Sequence, residues 1–371
     1  MTDFMTRNLS EYLKRINTSS IHAAKSSGLR YTTDQISGIT RRGTGKHVHF
    51  FGPKGRRIRH PIELQRIKSL AVPPAWTGVW ISPFPDSHLQ ATGRDARGRK
   101  QYRYHPRWRE VRDQTKYDRL ILFGRILSNL RTRVAKDLGL PGLPRAKIMA
   151  TIVKLLETTF IRIGNDEYAR QNQSFGLTTM RTKHVKIRGS KIRFRFRGKS
   201  GILRDLDVSD RKLAQIVRRC QELPGQELFQ YLDDDDEPRP VNSSDVNDYL
   251  REITGIDLTA KDFRTWAGTI LAARALAELG SFASKSQAKR NVVKAVEIVA
   301  ERLGNTRSVC QKCYIHPAIV RSYVDGTLGR TFNRRRPSQL IDPPWILMPE
   351  EARVMTILKQ TLKSSSNKKA A

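Results

Sequence analysis

Acidic residues are scarce in this sequence. Its 371 residues include 35 Asp and Glu against 69 Lys and Arg, which gives a formal net charge of +34. The basic residues recur along the whole chain, and hydrophobic residues, at 38%, suffice for a packed core. A surface this positive repels itself unless it meets a polyanion, and duplex nucleic acid is the obvious candidate. Because a small acidic substrate needs only a local basic pocket, the charge argues against a metabolic enzyme.

Cysteines and long apolar runs are also scarce. The three cysteines, Cys220, Cys310 and Cys313, are too few for a disulfide framework and indicate reduced thiols. Cys310, Cys313 and His316 have the spacing of part of a zinc site, but a second cysteine pair is missing, so no metal is expected. No apolar run reaches about 18 residues, and the N-terminus lacks the apolar stretch of a signal peptide. We expect a cytoplasmic, nucleoid-associated protein without a membrane segment.

The first third of the chain has the pattern of a small β-rich domain. Residues 1–28 are predicted to form a flexible arm. Over residues 29–108, short alternating segments are separated by Gly and Pro, which is typical of antiparallel strands and turns. Residues 106–110 are interpreted as a linker.

The pattern becomes helical beyond residue 109. Helices are predicted after Pro144, after Thr259 and after Ser284, the last two residues being good N-caps. Between them, residues 182–187, 191–197 and 203–208 predict a three-strand antiparallel meander with Gly-containing turns. The fold class is therefore α+β, with a mainly helical domain over residues 109–348. Residues 349–371 are expected to form a C-terminal segment ending in a disordered basic tail.

A basic and aromatic stretch in the N-terminal domain is a candidate DNA-contact strand. It contains Arg99, Lys100, Gln101, Tyr102 and Tyr104. Arg and Gln can bond base edges bidentately, and Lys and Tyr can hold phosphates. An edge strand whose charges only deter aggregation would have the same composition.

Four cations in the helical part are candidates for a phosphate site. Arg162 ends an apolar helix face, where a structural ion pair is the alternative. Lys199 lies on a glycine-flanked turn, where a solvated side chain is the usual outcome. Lys261 and Arg264 lie in the first turn of a helix, where cations oppose the helix dipole unless they bind an anion or pair with Asp262. None of these motifs decides the function alone.

Taken in order, the motifs resemble those of the type IB DNA topoisomerases, in the small bacterial and poxvirus-like branch. The resemblance extends from about Thr40 to Trp345. It rests on Gly-Arg-Lys-Gln-Tyr (98–102), Phe-Ile-Arg-Ile-Gly (160–164), Gly-Leu-Thr-Thr-Met (176–180), Arg-Gly-Lys (197–199), Lys-Asp-Phe-Arg-Thr (261–265), and Leu-Gly-Asn-Thr (303–306) with Tyr314.

The resemblance implies a role for each site residue. Tyr314 would be the nucleophile, with Arg162, Lys199 and Arg264 as catalytic cations and Lys261 in support. Asn305 stands where the poxvirus pattern has a histidine, so hydrogen bonding is expected there and acid–base chemistry is not. The positions that match DNA contacts are Gln101, Tyr102, Tyr104 and Tyr168. A monomer that closes as a clamp around double-stranded DNA is also implied.

This set of residues suits attack on a phosphodiester. Cationic donors stabilise the charge that develops on the non-bridging oxygens, and a lysine can protonate the leaving 5′-oxygen. A 3′-phosphotyrosyl link would conserve the bond energy, so neither ATP nor a metal cofactor is expected. One alternative is a tyrosine recombinase or integrase, although His-x-x-Arg is usual there in place of Lys261–Arg264. The other is a non-enzymatic architectural DNA-binding protein, for which the charge alone would suffice.

Overall fold

The computed structural model describes residues 24–25, 27–43, 48–96, 100–256, 258–333 and 347–370. The chain divides into two compact units, Met1–Arg119 and Leu120–Ala371. Most of the predicted N-terminal arm, together with Arg99, lies outside the described residues. No helix in the described ranges has the length and apolarity needed to cross a bilayer.

The first unit is built on a five-stranded antiparallel sheet in the order β2-β1-β3-β4-β5. Its strands are β1 (Ile39–Arg42), β2 (His49–Phe51), β3 (Thr77–Ile81), β4 (Leu89–Arg94) and β5 (Lys100–Tyr104). Helix α1 (Pro61–Ser69) packs on the sheet through Ile67, which shares a buried cluster with Ile39 and Ile81. The sequence predicted only strands and turns here, but Pro61 at the first helical position, Glu63 in the first turn and basic residues in the last favour a helix.

The sequence predicted a linker at residues 106–110. The structure shows instead that they begin a long helix, α2 (Pro106–Asp137). Proline is tolerated at the first helical position because its missing N–H has no intrahelical partner there. The division between the two units falls within this helix.

The second unit is mainly helical and contains the predicted three-strand meander. Its helices, in chain order after α2, are α3 (Arg145–Thr159), α4 (Asp166–Asn172), α5 (Arg211–Gln221), α6 (Ser243–Thr254), α7 (Ala260–Leu279), α8 (Lys285–Leu303), α9 (Arg307–Cys313), α10 (Pro317–Val324), α11 (Thr327–Asn333) and α12 (Pro349–Ala370). The meander is β6 (Val185–Arg188), β7 (Lys191–Arg197) and β8 (Leu203–Ser209), and β9 (Gln230–Leu232) pairs with β10 (Pro238–Pro240). The α+β class is thereby confirmed.

Local sequence accounts for the elements that carry the site. In β7, Ile192, Phe194 and Phe196 are buried and alternate with exposed basic residues. Helix α7 begins with a capping box, in which the Asp262 carboxylate accepts the backbone N–H of Thr259 at 2.8 Å.

The C-terminal helix α12 is tied to the core by a buried ion pair. Arg131 on α2 donates two hydrogen bonds to Glu351, both at 2.9 Å, and a third to Glu157 at 2.6 Å. Trp266 on α7 donates to the same Glu351 carboxylate at 2.9 Å. The helix continues to Ala370, where the sequence predicted a disordered tail; Glu350–Ala371 contains neither Gly nor Pro to end it.

Candidate active site

The site forms around the C-terminal end of helix α8. Arg264, in the first turn of α7, is only 3% exposed. Its guanidinium donates to the carbonyl oxygen of Leu303 at 2.7 Å and to that of Phe160. Phe160 ends α3 in the left-handed conformation, with φ of 56°. Arg264 thus joins the ends of α3 and α8.

Arg162 reaches the same helix end from the segment that follows α3. Its Nη2 donates to the carbonyl oxygen of Gly304 at 3.3 Å and to Oδ1 of Asn305. The 176–180 motif holds the Arg162 backbone, since Leu177 N–H donates to the Arg162 carbonyl at 2.9 Å. A Cβ on Gly176 would lie 2.5 Å from that carbonyl oxygen, so glycine permits the close approach. The 176–180 motif therefore positions Arg162.

Tyr314 follows α9 directly and lies beside Arg264. The guanidinium carbon of Arg264 is 5.2 Å from the centre of the Tyr314 ring. Thr269 on α7 donates its hydroxyl to the Tyr314 carbonyl at 3.3 Å. A Cβ on Gly268 would lie 2.7 Å from the same carbonyl oxygen, so this glycine lets Tyr314 pack closely on α7.

The charges in this cluster repel one another. Burial is the main cause that lowers the pKa of Arg162 to about 10, and the charge of Arg264 lowers it further. Arg204 lowers it too, whereas Tyr314 and Cys310 act in the opposite direction. A phosphate bound here would relieve this repulsion.

Two buried donors in the cluster lack hydrogen-bond partners in the part of the chain that the structure describes. They are Nε of Arg264 and Nδ2 of Asn305. An unsatisfied buried donor costs about 1–3 kcal/mol, and more when the group is charged. Native structures retain such donors where an acceptor is supplied by a ligand. The site is therefore complementary to an anion.

Lys199 and Lys261 are both exposed. Lys199 lies in the turn between β7 and β8, where Ser200 has φ of 64° and Gly201 N–H donates to the Gly198 carbonyl at 3.1 Å. The ammonium group of neither lysine has a hydrogen-bond or ion-pair partner among the described residues. The Lys261–Asp262 pairing left open by the sequence is therefore not formed.

The candidate DNA-contact residues divide between the two units. In the second, Tyr168 on α4 is 38% exposed. In the first, Tyr102 is 46% exposed on β5 and stacks on Tyr104, with ring centres 6.0 Å apart. Gln101 points to the other face of the strand and donates to Asp95 at 2.8 Å. Only the backbone of Lys100 is described.

Sequence reasoning missed Arg204, Gly268 and Thr269. Arg204 lies on the face of β8 that carries Leu206 and Val208, the less exposed face of the strand. A charged residue at an apolar position of the alternating pattern was a signal available in the sequence. Gly268 and Thr269 gave no such signal because their role depends on the position of Tyr314.

Comparisons with known proteins show the family of the chain. The family model described as "Eukaryotic DNA topoisomerase I, catalytic core" matches residues 105–329, and "Bacterial DNA topoisomerase IB, N-terminal domain" matches residues 47–95. The DNA topoisomerase 1B of Acanthamoeba polyphaga mimivirus is 31% identical over 288 residues, which cover 76% of this chain and 85% of the relative. The DNA topoisomerase 1B of Vaccinia virus (strain Copenhagen) is 22% identical over 245 residues, covering 64% of this chain and 74% of the relative. The chain therefore belongs to the type IB DNA topoisomerase family of isomerases.

Proposed function

We propose that this protein relaxes supercoiled DNA by transient cleavage of one strand, with Tyr314 as the nucleophile. The Tyr314 hydroxyl oxygen attacks the phosphorus and loses its proton to solvent. The bond from phosphorus to the 5′-oxygen breaks, the 5′-oxygen takes up a proton, and a 3′-phosphotyrosyl link forms. Religation is the reverse attack by the 5′-hydroxyl. The phosphotyrosyl ester conserves the energy of the broken phosphodiester, so this cycle uses no ATP.

The observation that carries the proposal is the position of Tyr314 against Arg264, within a cluster that has unpartnered donors. Attack by a phenol of ordinary pKa near 10 needs nearby positive charge. Arg162 and Arg264 supply it, and their forked donors suit the non-bridging phosphate oxygens. Asn305 would add one neutral donor. Each well-placed donor is worth about 3–4 kcal/mol in the transition state.

Lys199 is proposed as the general acid. A 5′-alkoxide is a poor leaving group, and protonation as the bond breaks removes that obstacle. The exposed turn and the absence of a partner for Lys199 among the described residues leave its ammonium available to DNA. Lys261 supports the same site as a second exposed cation at the start of α7.

Double-stranded DNA is the proposed substrate and partner. We propose that residues 29–108 form a DNA-binding domain and residues 109–348 the catalytic domain. Tyr102, Tyr104, Tyr168 and the basic stretch 99–101 would contact the duplex. The net charge of +34 favours such binding whatever the base sequence of the DNA. A monomeric clamp and association with the nucleoid complete the proposal, and sedimentation of the protein with a short duplex tests the monomer.

Trapping the covalent adduct tests the proposal. A duplex that loses its short 5′-leaving strand after cleavage should accumulate a protein–DNA adduct. Peptide mapping of this adduct should identify Tyr314 as the residue linked to DNA. Tyr314→Phe should bind the duplex and form no adduct. Tyr168→Phe removes the hydroxyl of an exposed tyrosine at a proposed DNA contact, and it should still form at least part of the adduct. Relaxation of a plasmid in EDTA without ATP should follow the same pattern. Adduct formation by Tyr314→Phe would refute the assignment.

A further inference from the structure

Three arginines bond the last carbonyls of helix α8. The four acceptors are successive residues: Arg204 donates to Glu301 (3.4 Å) and Arg302 (3.0 Å), Arg264 to Leu303 (2.7 Å), and Arg162 to Gly304 (3.3 Å). Carbonyls at the C-terminal end of a helix have few partners within the helix, and they carry the negative end of its dipole. The end of α8 therefore offsets the repulsion between three cations that would otherwise move apart.

Arg204 differs from the other two arginines in what it contacts. Its Cγ lies 3.3 Å from the position of a Cβ on Gly198, the residue before Lys199. Its Nη1 lies 2.6 Å from the position of a Cβ on Gly304, the residue before Asn305. The side chain thus extends from the base of the Lys199 turn to the loop that carries Asn305.

Arg204 also contributes charge to the cluster. Burial lowers the pKa of Arg204, and the charge of Arg264 lowers it further. Among the described residues, the Arg204 guanidinium donates to backbone carbonyls and to no side chain. It therefore fixes the backbone at the end of α8 and does not orient one particular side chain. Arg162 also donates to Gly304 and Asn305 in the same loop.

We propose that Arg204 is a positioning residue for the reaction. It holds the end of α8 so that Asn305 and Arg162 keep the geometry that a phosphate requires, and it sets the base of the Lys199 turn against the same loop. This inference rests on the proposed function, because it concerns the same phosphate site. The role of Arg204 in the reaction is indirect, since Arg204 acts through the loop.

Single-turnover cleavage of the trapping duplex tests the proposal. Because misplacement of reacting groups by about 1 Å costs on the order of 100-fold, Arg204→Met should cleave about 10- to 100-fold more slowly than wild type. Arg204→Lys keeps the charge and one donor group, so it should recover part of this loss. The matched control is Arg193→Met on neighbouring β7, whose guanidinium pairs with Asp205 in solvent and has no hydrogen bond to α8 within the described residues. The control should cleave at the wild-type rate. Cleavage by Arg204→Met within about twofold of wild type would overturn the proposal.

A double-mutant cycle separates positioning from a general loss of stability. If Arg204 acts through the Asn305 loop, adding Arg204→Met to Asn305→Ala should slow cleavage by a much smaller factor than it does in wild type. Factors that simply multiply would overturn the proposal. Melting temperatures of all variants should be recorded beside the rates, and Arg204→Lys carries the cycle if Arg204→Met does not fold.

Hydrogen exchange gives a readout that needs no DNA. Asn305 N–H donates to the Ala300 carbonyl at 2.9 Å, and Gly304 N–H to the Glu301 carbonyl at 3.1 Å. Loss of the charged donor at the Glu301 and Arg302 carbonyls should loosen this helix end. Exchange of the two amides should therefore be about tenfold faster in Arg204→Met and unchanged in Arg193→Met. Unchanged exchange in Arg204→Met would contradict the positioning role. If the wild-type protein formed no adduct, the proposed function would be refuted. The exchange comparison would still decide whether Arg204 holds the end of α8.

Discussion

At Gly268, the addition of a single methyl group should slow cleavage while the protein stays folded. It is buried in helix α7, and an added Cβ would lie 2.7 Å from the carbonyl oxygen and 3.0 Å from the Cβ of Tyr314. An ordinary contact at these atoms starts at about 3.4 Å. Gly268→Ala should therefore push Tyr314 away from α7 by about 0.7 Å, the difference between 3.4 and 2.7 Å.

The effect on stability should be small because two terms oppose each other. Alanine is favoured over glycine in a helix by about 1 kcal/mol, whereas overpacking a core costs about 1–3 kcal/mol. The net loss of about 0–2 kcal/mol leaves the protein folded. A nucleophile displaced by most of an ångström should slow cleavage about 10- to 100-fold, because misplacement by about 1 Å costs on the order of 100-fold.

The measurement is single-turnover cleavage, with the melting temperature recorded in parallel. Gly329→Ala is the matched control, because Gly329 lies in helix α11 and a Cβ there meets no atom within 4 Å. The control should cleave normally and melt no lower than wild type. Cleavage by Gly268→Ala at the wild-type rate would show that Tyr314 does not depend on this contact, and the reasoning would fail.

Further predictions concern the remaining site residues, the buried ion pair and the charge. Asn305→Ala should slow cleavage and religation by a similar factor, about 100- to 1,000-fold for one lost donor, and Asn305→His should be tolerated; a severe defect in the histidine variant would contradict a simple hydrogen-bonding role. Lys199→Ala should be very slow on ordinary DNA yet nearly normal when sulfur replaces the 5′ bridging oxygen, because a thiolate leaves without a proton; equal defects on both substrates would reduce Lys199 to a phosphate contact. Arg131→Met should lower the free energy of unfolding in urea by about 3–5 kcal/mol, since it leaves the buried Glu351 carboxylate without its cation, whereas the exposed Arg193→Met should leave that free energy unchanged. Duplex affinity should fall steeply as the salt concentration rises. In a plot of log binding constant against log salt concentration, each phosphate contact should add about −0.9 to the slope, and a slope near zero would contradict DNA binding.

Local patterns explain most of the secondary structure in this chain. The capping residues Thr259 and Ser284 and the apolar period behind them predicted α7 and α8, whose bounds agree with the prediction. The alternation of Ile192, Phe194 and Phe196 with arginines predicted β7 and the meander around it. These predictions succeeded because periodicity and capping are properties of neighbouring residues. Helix α1 and the continuous α2 were missed because Pro61 and Pro106 read as breaks, although each is a favourable first residue of a helix.

The proposed phosphate site shows what only the tertiary structure decided. Motif order in the sequence indicated the family and named most of the residues proposed for the site, because residue types at fixed spacing carry that information. The sequence did not contain the reason why Arg162, Arg204 and Arg264 remain together. They converge on the end of α8 from three separate segments, and the helix carbonyls that offset their repulsion come from a fourth. Contacts of this kind join residues up to 142 positions apart, as between Arg162 and Gly304. They depend on how the helices pack, so spacing along the chain does not reveal them.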